Sequence, residues 1–513
     1  MKIQFEEAAG AYSQALRPRR LGIDTYQEPV VYLREDSHVC KSEGFESLSR
    51  VELRWDDQHM VATLNVVTPR GFGALAADEV GLSEAAWRMS GGCGSGTVHL
   101  AHPAPVESFA QVRAKIFGHA FSTQALRDIV ADIRAGHYST VEMASFLTAC
   151  AGGSMGIDET VALTRAMVAE GTRLRWPQQR VLDKHCIGGV PGNRTTLIVV
   201  PIVAALGLTI PKTSSRAITS PSGTADTMET LAPVALEVAS MRKVVEAEGG
   251  CIVWGGSVNL SPVDDILIRV ERPLDLDSEA QMIASVIAKK VAAGSTYALI
   301  DIPVGPTAKI RSEAAANALA AHLVEVGRLL ELDVEVAISD GTQPVGRGIG
   351  PALEARDVLA VLRNELHAPA DLRERALDLA GRILEHAGRA APGHGAALAR
   401  AVLDDGRAWR KFEAIALAQG GLREPVVARQ CRVIEADAEG TVARIDNRRL
   451  ARIAKLAGAP RAPGAGVDLF AAVGSRVEAR QPLYAVHAES PGELAYALDY
   501  ARRQAGVIEL APT

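Results

Sequence analysis

Between about residues 177 and 390 the chain keeps repeating one pattern: a short apolar strand, a loop rich in glycine, serine or proline, then a longer stretch with helical spacing. Leu299-Ile300-Asp301-Ile302 and Val334-Glu335-Val336-Ala337-Ile338 are two of the strands. Strands that alternate with helices are joined by crossovers, and the compact solution is a mostly parallel sheet with helices on its faces. The predicted fold class is therefore α/β. In such a sheet the loops after the strands gather at one edge, where ligands bind.

The flanks read differently. Residues 1–90 alternate polar and apolar positions, as in Val51-Glu52-Leu53-Arg54-Trp55, and predict a small β-rich domain. Ser90-Gly91-Gly92-Cys93-Gly94-Ser95-Gly96 then predicts a linker. Residues 100–175 predict a helical lobe, with Ser122 opening one helix, Ser139 and Glu142 forming a capping box and Asp158 capping a third helix. Residues 430–513 predict a last α+β unit, bracketed by Gly440-Thr441-Val442-Ala443-Arg444-Ile445 and a helical pattern around 492–503. A length of 513 residues accommodates several such domains.

Several function classes conflict with the composition. The formal net charge is −6 and no lysine or arginine block stands out, so polymeric nucleic acid is not an expected partner. The strongest apolar run, Leu197 to Leu208, contains Pro201 and falls short of the ~20 residues that cross a bilayer. With an amino terminus that turns acidic at once, the expectation is a cytoplasmic protein without a membrane partner. Cys40, Cys93, Cys150, Cys186, Cys251 and Cys431 lie far apart, which predicts reduced thiols and no zinc site. His99-x-x-His102 is followed by Pro103 and is not read as a metal site.

Five loops carry the chemistry. Lys184 to Thr196 runs from a strand through Gly188, Gly189 and Gly192 into a helix, an anion-binding layout in which Lys184 supplies charge and Thr196 a hydroxyl. No Gly-Lys-Ser/Thr follows at Walker spacing. Lys212 to Glu229 is crowded with serine and threonine around Arg216 and offers short donors for phosphate and sugar oxygens. On a third segment Gln281, Ser285 and Lys289 are spaced by four, so they share one helix face near Asp277; a solvated face explains them equally well. The fourth loop, Asp301 to Lys309, brings a single cation, and the fifth, Asp340 to Pro351, more glycines. Each signal is weak alone, and their convergence at one sheet edge is the specific expectation.

Lys184-His185 with Gly188-Gly189-Val190, Ser214-x-Arg216 with Gly223-Thr224-x-Asp226-x-x-Glu229, and Ser285-x-x-x-Lys289-Lys290 together resemble the thymidine and pyrimidine-nucleoside phosphorylase family. The resemblance covers roughly residues 105–500, including Gly118-His119-Ala120 and Gln481-Pro482-Leu483. It implies lobes interleaved in sequence, with 262–292 returning to the helical lobe and 177–261 plus 293–425 forming the phosphate-binding α/β domain. It implies a homodimer or larger homo-oligomer, no metal or organic cofactor, and inorganic phosphate as co-substrate. It implies phosphate contacts from Lys184, Gly188, Gly189, Thr196, Ser214 and Thr224, with Arg269, Ser285 and Lys289 facing the base. Cys186 stands where the family usually carries serine.

Ser220-Pro221-Ser222, the cation Lys309 and the extra domain before residue 90 narrow the resemblance to the subfamily that contains AMP phosphorylase and bacterial proteins labelled thymidine phosphorylases. The carry-over places Gly189, Ser215, Arg216, Ala217, Ile218, Thr219, Ser220, Thr224, Ser285 and Lys309 around a nucleotide, with Asp277 as proton donor. The expected reaction is phosphorolysis of an N-glycosidic bond in a nucleoside 5′-monophosphate, with thymidine or uridine as alternative substrates. A dinucleotide-dependent oxidoreductase lacks its GxGxxG after a strand. A nucleotide-binding, non-catalytic assembly protein is the other alternative.

Overall fold

The computed structural model describes residues 15–69, 75–92, 96–151, 155–217, 220–274, 276, 278–504 and 506–512. They divide into two compact units, one of residues up to 119 with 128–149, the other of 120–127 with everything from 150 onward.

The first unit is built on a six-stranded sheet. Its strands are β1 (Arg17–Arg20), β2 (Val30–Arg34), β3 (Arg50–Trp55), β4 (Gln58–Val67), β5 (Glu79–Leu82) and β6 (His99–Ala101), in the order β1-β5-β2-β4-β3-β6. The period-two alternation of Val51, Leu53 and Trp55 puts these side chains into one core with Val31, Leu33 and Leu64. β6 pairs with β3, so the sheet takes a strand from beyond the glycine stretch; Cys93 to Ser95 lie outside the described residues. Ser139 and Glu142 form the expected reciprocal cap, the Ser139 hydroxyl accepting from Glu142 N at 3.2 Å and Glu142 from Ser139 N at 2.7 Å.

The second unit contains a parallel sheet. β7 (Leu182–Cys186), β10 (Tyr297–Val304) and β11 (Asp333–Asp340) pair side by side, β8 (Ile210–Ser214) pairs with β9 (Gly250–Trp254), and a parallel bridge from Val181 to Thr209 joins the two groups. The spatial order is β9-β8-β7-β10-β11. Behind it runs helix Thr196–Ala205, apolar on every side and buried from Thr196 to Ala204, as an all-round hydrophobic helix must be. Helix Glu279–Ala292 packs along helix Ile157–Ala169 through Ile283, Val286, Ile287 and Val161. The Ile157–Ala169 helix is capped by Gly156 and Glu159, not by Asp158: Glu159 accepts from Gly156 N at 3.0 Å.

The tail strands β13 (Gln430–Glu435), β14 (Gly440–Ile445), β15 (Gly466–Leu469), β16 (Arg476–Val477), β17 (Pro482–Ala488) and β18 (Ile508–Ala511) join β12 (Gly348–Ile349), which follows β11, in the orders β12-β15-β17-β13 and β16-β14-β18. Its helix Asn447–Leu456 docks on the loops after β10 and β11, where Asn447 N donates to Thr307 at 3.2 Å and Asn447 Nδ2 to Gly341 O at 2.9 Å. Among the described residues no helix is long and apolar enough to cross a membrane, and no cluster of metal-ligating side chains occurs.

Candidate active site

From β7 the chain builds outward through β8 to β9, then returns to lay β10 on the other side of β7. The loops after β7 and β10 therefore leave in opposite directions at the carboxyl edge, the switch point where such sheets bind ligands. Glycines let the walls close. A Cβ on Gly189 would lie 2.3 Å from Lys309 N, one on Gly192 would lie 2.2 Å from Val345 O, and one on Gly305 would lie 2.3 Å from Gly341 O. The loops after β7, β10 and β11 thus touch backbone to backbone, and Lys309 sits against Gly189. Gly189 also has φ +90°, which L side chains rarely adopt. Gly189→Ala is expected to displace Lys309 and cost about 1–2 kcal/mol from the backbone conformation alone; unfolding curves and phosphate titration of the variant measure both effects.

On β7, Lys184 is fully buried. Its ammonium donates to Thr195 Oγ1 at 2.6 Å and lies 3.9 Å from Asp301 Oδ2. Burial lowers its pKa and the Asp301 carboxylate opposes that. Asn193 ties the loop down, donating to Asp301 at 3.1 Å and to Cys186 Sγ at 3.3 Å. The hydroxyl placed on Lys184 is thus that of Thr195, a residue the sequence reading passed over; Thr196 is the next residue and begins the helix. Burial pushes the Cys186 thiol up to about 11, so it is a neutral group here.

Ser214 ends β8 almost fully buried, and its hydroxyl has no hydrogen-bond partner among the described residues. A buried hydroxyl without a partner at the carboxyl end of a strand is a group that a ligand oxygen can satisfy. The loop that follows is stapled from within. Arg216 contacts both Glu229 oxygens, at 2.5 and 2.9 Å, reaches Asp226 at 3.2 Å and lies over the Trp254 ring. The second oxygen of Asp226 accepts from Ala217 N at 2.6 Å and Gly223 N at 2.9 Å. Ser215 O accepts from Ala225 N, and Ser220 donates to Ser222 O at 2.8 Å. The Ser-x-Arg…Gly-Thr-x-Asp-x-x-Glu spacing is therefore a fold signature: it shapes the loop and presents half-buried Thr224 at the first turn of helix Thr224–Glu229. Ile218 and Thr219 lie outside the described residues. Buried Glu354 joins this loop to the first, pairing with Arg194 and accepting from Thr227 at 2.8 Å, while Arg194 donates to Ser222 O at 2.5 Å.

The third wall comes from helix Glu279–Ala292. Lys289 pairs with buried Asp264 at 2.5 Å and lies 3.4 Å from Ser285 Oγ. Burial opposes its charge, but Asp264 and Asp265 hold its pKa above the ordinary lysine value. Arg269 is half-buried on the neighbouring helix Pro262–Leu274, and Asp277 lies outside the described residues. Lys290 crosses to the sheet, where Asp183 on β7 is held between Lys290 at 2.8 Å and Lys212 at 2.9 Å. His185 follows on β7; burial, then Lys290, Lys212, Lys289 and Lys184, keep its pKa well below the usual histidine value, so the ring is neutral. All four lysines act on it, so β7, β8 and the Lys289 helix meet around His185. Sequence reading gave His185 no role because its setting is made by residues up to about a hundred positions away.

Comparison with known proteins agrees with this architecture. Residues 178–409 match the α/β domain of a glycosyl transferase family, 112–171 its helical bundle domain, and 441–507 the pyrimidine nucleoside phosphorylase C-terminal domain. A Polaromonas sp. protein named "Putative thymidine phosphorylase" is 61% identical over 495 residues, covering 96% of both chains. One from Hahella chejuensis with the same name is 56% identical over 484 residues, covering 94% of this chain and 95% of the other. The solved anthranilate phosphoribosyltransferase of Thermus thermophilus, 22% identical, superposes with a TM-score of 0.50 over 60% of this chain and 98% of its own, a likeness of fold. Glycine-lined loops at the switch of a parallel sheet, a helical lobe and a matching tail leave one conclusion: the chain belongs to the thymidine and pyrimidine-nucleoside phosphorylase family.

Proposed function

We propose that this pentosyltransferase splits nucleoside 5′-monophosphates with inorganic phosphate, releasing the free base and ribose 1,5-bisphosphate. The observation that carries the reading is the seating of Lys309 against Gly189, which brings Lys309 from the loop after β10 onto the glycine loop after β7. A 5′-phosphate is dianionic near neutral pH, and a cation at that position suits it. Inorganic phosphate is assigned to Ser214, Thr224 and the Gly188-Gly189 backbone, in the field of Lys184. A phosphate oxygen bonds to the anomeric carbon as the bond to the base nitrogen breaks. Positive charge grows on the sugar and is balanced by the bound phosphate. The base leaves with the electron pair and takes a proton, for which Asp277 is the assigned donor, while Lys289 and Arg269 neutralise charge on the base. These steps are assigned to the chain's own groups, without a metal or organic cofactor.

A second reading, phosphorolysis of unphosphorylated thymidine or uridine, is favoured by the names of the relatives. Incubating AMP, CMP, UMP, thymidine and uridine separately with phosphate and chromatographing the bases decides between the two. Lys309→Ala is expected to lower kcat/KM on nucleotides by roughly 10- to 100-fold, the worth of a charge-assisted contact, and to leave nucleosides nearly unaffected. Equal losses on both would remove the 5′-phosphate from the site.

A further inference from the structure

The helix that carries Ser285 and Lys289 holds one more polar side chain that neither the fold nor the mechanism uses. Gln281 is 6% exposed, and its amide nitrogen is buried with no hydrogen-bond partner among the described residues. It is one turn before Ser285 and two before Lys289, so the three project from overlapping faces, about 40° apart per step. The rest of the helix accounts for itself: Ile283, Val286 and Ile287 fill the apolar core, Lys290 meets Asp183 and Lys289 meets Asp264. A buried amide left unpaired costs about 1–3 kcal/mol, and a residue with no structural partner is an odd choice for a core position that leucine or methionine would fill.

We infer that Gln281 reads the hydrogen-bonding edge of the nucleobase and sets base preference. This rests on the phosphorolysis reading and deepens it. A carboxamide offers a donor and an acceptor side by side, the complement of a ring nitrogen flanked by a carbonyl or amino group. Lys289 and Arg269 offer only donors, which stabilise any departing base but distinguish bases poorly. Gln281 supplies a neutral acceptor beside the Ser285 hydroxyl, since the Asp264 carboxylate is taken up by Lys289. Such a site rejects a base whose edge leaves the amide unpaired, which is how buried polar groups discriminate.

The test compares wild type, Gln281→Met and Gln281→Glu on AMP, CMP, UMP, thymidine and uridine with phosphate. Gln281→Met keeps the length of the side chain and removes the unpaired amide, so its Tm should equal or exceed that of wild type. Its kcat/KM on the preferred base should fall by roughly 10- to 100-fold, with a much smaller loss on the poorest substrate, so the preference ratio collapses. Gln281→Glu should alter the order of preference. If Gln281→Met lowers Tm and reduces every substrate by one common factor, Gln281 is structural and the inference fails. An unchanged ratio with normal Tm also overturns it. No turnover of any substrate by wild type would sink the phosphorolysis reading itself and take the base assignment with it, an outcome distinct from both.

Discussion

Asp183→Asn is expected to destabilise the second unit by about 3–5 kcal/mol, the cost of stripping the partner from a buried ion pair. Asp183 is 1% exposed and is the shared counter-charge of Lys212 and Lys290, 4% and 2% exposed. Burial alone would raise its pKa, but the two ammonium groups overcome this and hold it below the ordinary carboxylate value. One carboxylate serves two cations, so the pair cannot be neutral with both lysines charged. Burial, and then the second lysine, accordingly push Lys290 down from 10.5 to about 7. The sign follows from proton counts. Between about pH 7 and 10.5 the unfolded chain protonates Lys290 more than the folded chain does, so this group adds stability as pH rises through that window. Asp183 works in the opposite range, where its contribution is lost as acid protonates it. In Asp183→Asn both lysines lose their counter-charge, so the deficit should be largest near pH 6 and shrink toward pH 9 as they deprotonate. Thermal unfolding of both proteins at the two pH values measures this. A deficit equal at pH 6 and 9, or none, would mean that the lysines do not depend on Asp183.

The same carboxylate shows what a linear reading can reach. Alternating strands and helices specify a parallel sheet, because each apolar run is only long enough for one strand and each helix returns the chain to the same edge. The glycine loops are legible for the same local reason, since Gly188 and Gly189 have positive φ that few other residues tolerate. Partnership across long separations is not local. Asp183 looks like any strand-edge acid until β8 brings Lys212 beside it and the helical lobe brings Lys290, 107 positions later. Arg216 illustrates the opposite failure. An arginine in a hydroxyl-rich loop looks like a ligand for phosphate, yet its guanidinium is taken up by Glu229, Asp226 and the Trp254 ring. Acidic residues ten and thirteen positions later were the available signal, because a short helix beginning at Thr224 turns both back toward the loop. Which hydroxyl meets the Lys184 ammonium, that of Thr195, turns on one residue at a helix start, the least legible feature in any sequence.

Lys289→Met should lower kcat/KM by about 10²- to 10³-fold on every accepted substrate, the usual loss when one preorganised charge-stabilising donor is removed. The effect has two sources that must be separated. Lys289 is assigned to the departing base, and it also neutralises Asp264, 4% exposed by side chain and 2.5 Å away. Its removal therefore leaves a buried carboxylate that must take up a proton or draw in water, and stability should fall too. Asp264→Asn with Lys289→Met removes both charges together, and the amide needs no counter-ion. The double variant should recover most of the lost Tm while kcat/KM stays near that of the single variant. If activity returns along with Tm, Lys289 served only to neutralise Asp264, and charge on the leaving base must be met by another group. Asp264→Asn alone sharpens the comparison. Lys289 keeps its charge through neutral pH because Asp264 and Asp265 outweigh burial. Without Asp264 that balance shifts toward burial, the ammonium loses its proton more easily, and the alkaline limb of the pH–rate profile should move down toward neutrality. A profile that does not move would show that the charge on Lys289 is not the quantity catalysis depends on.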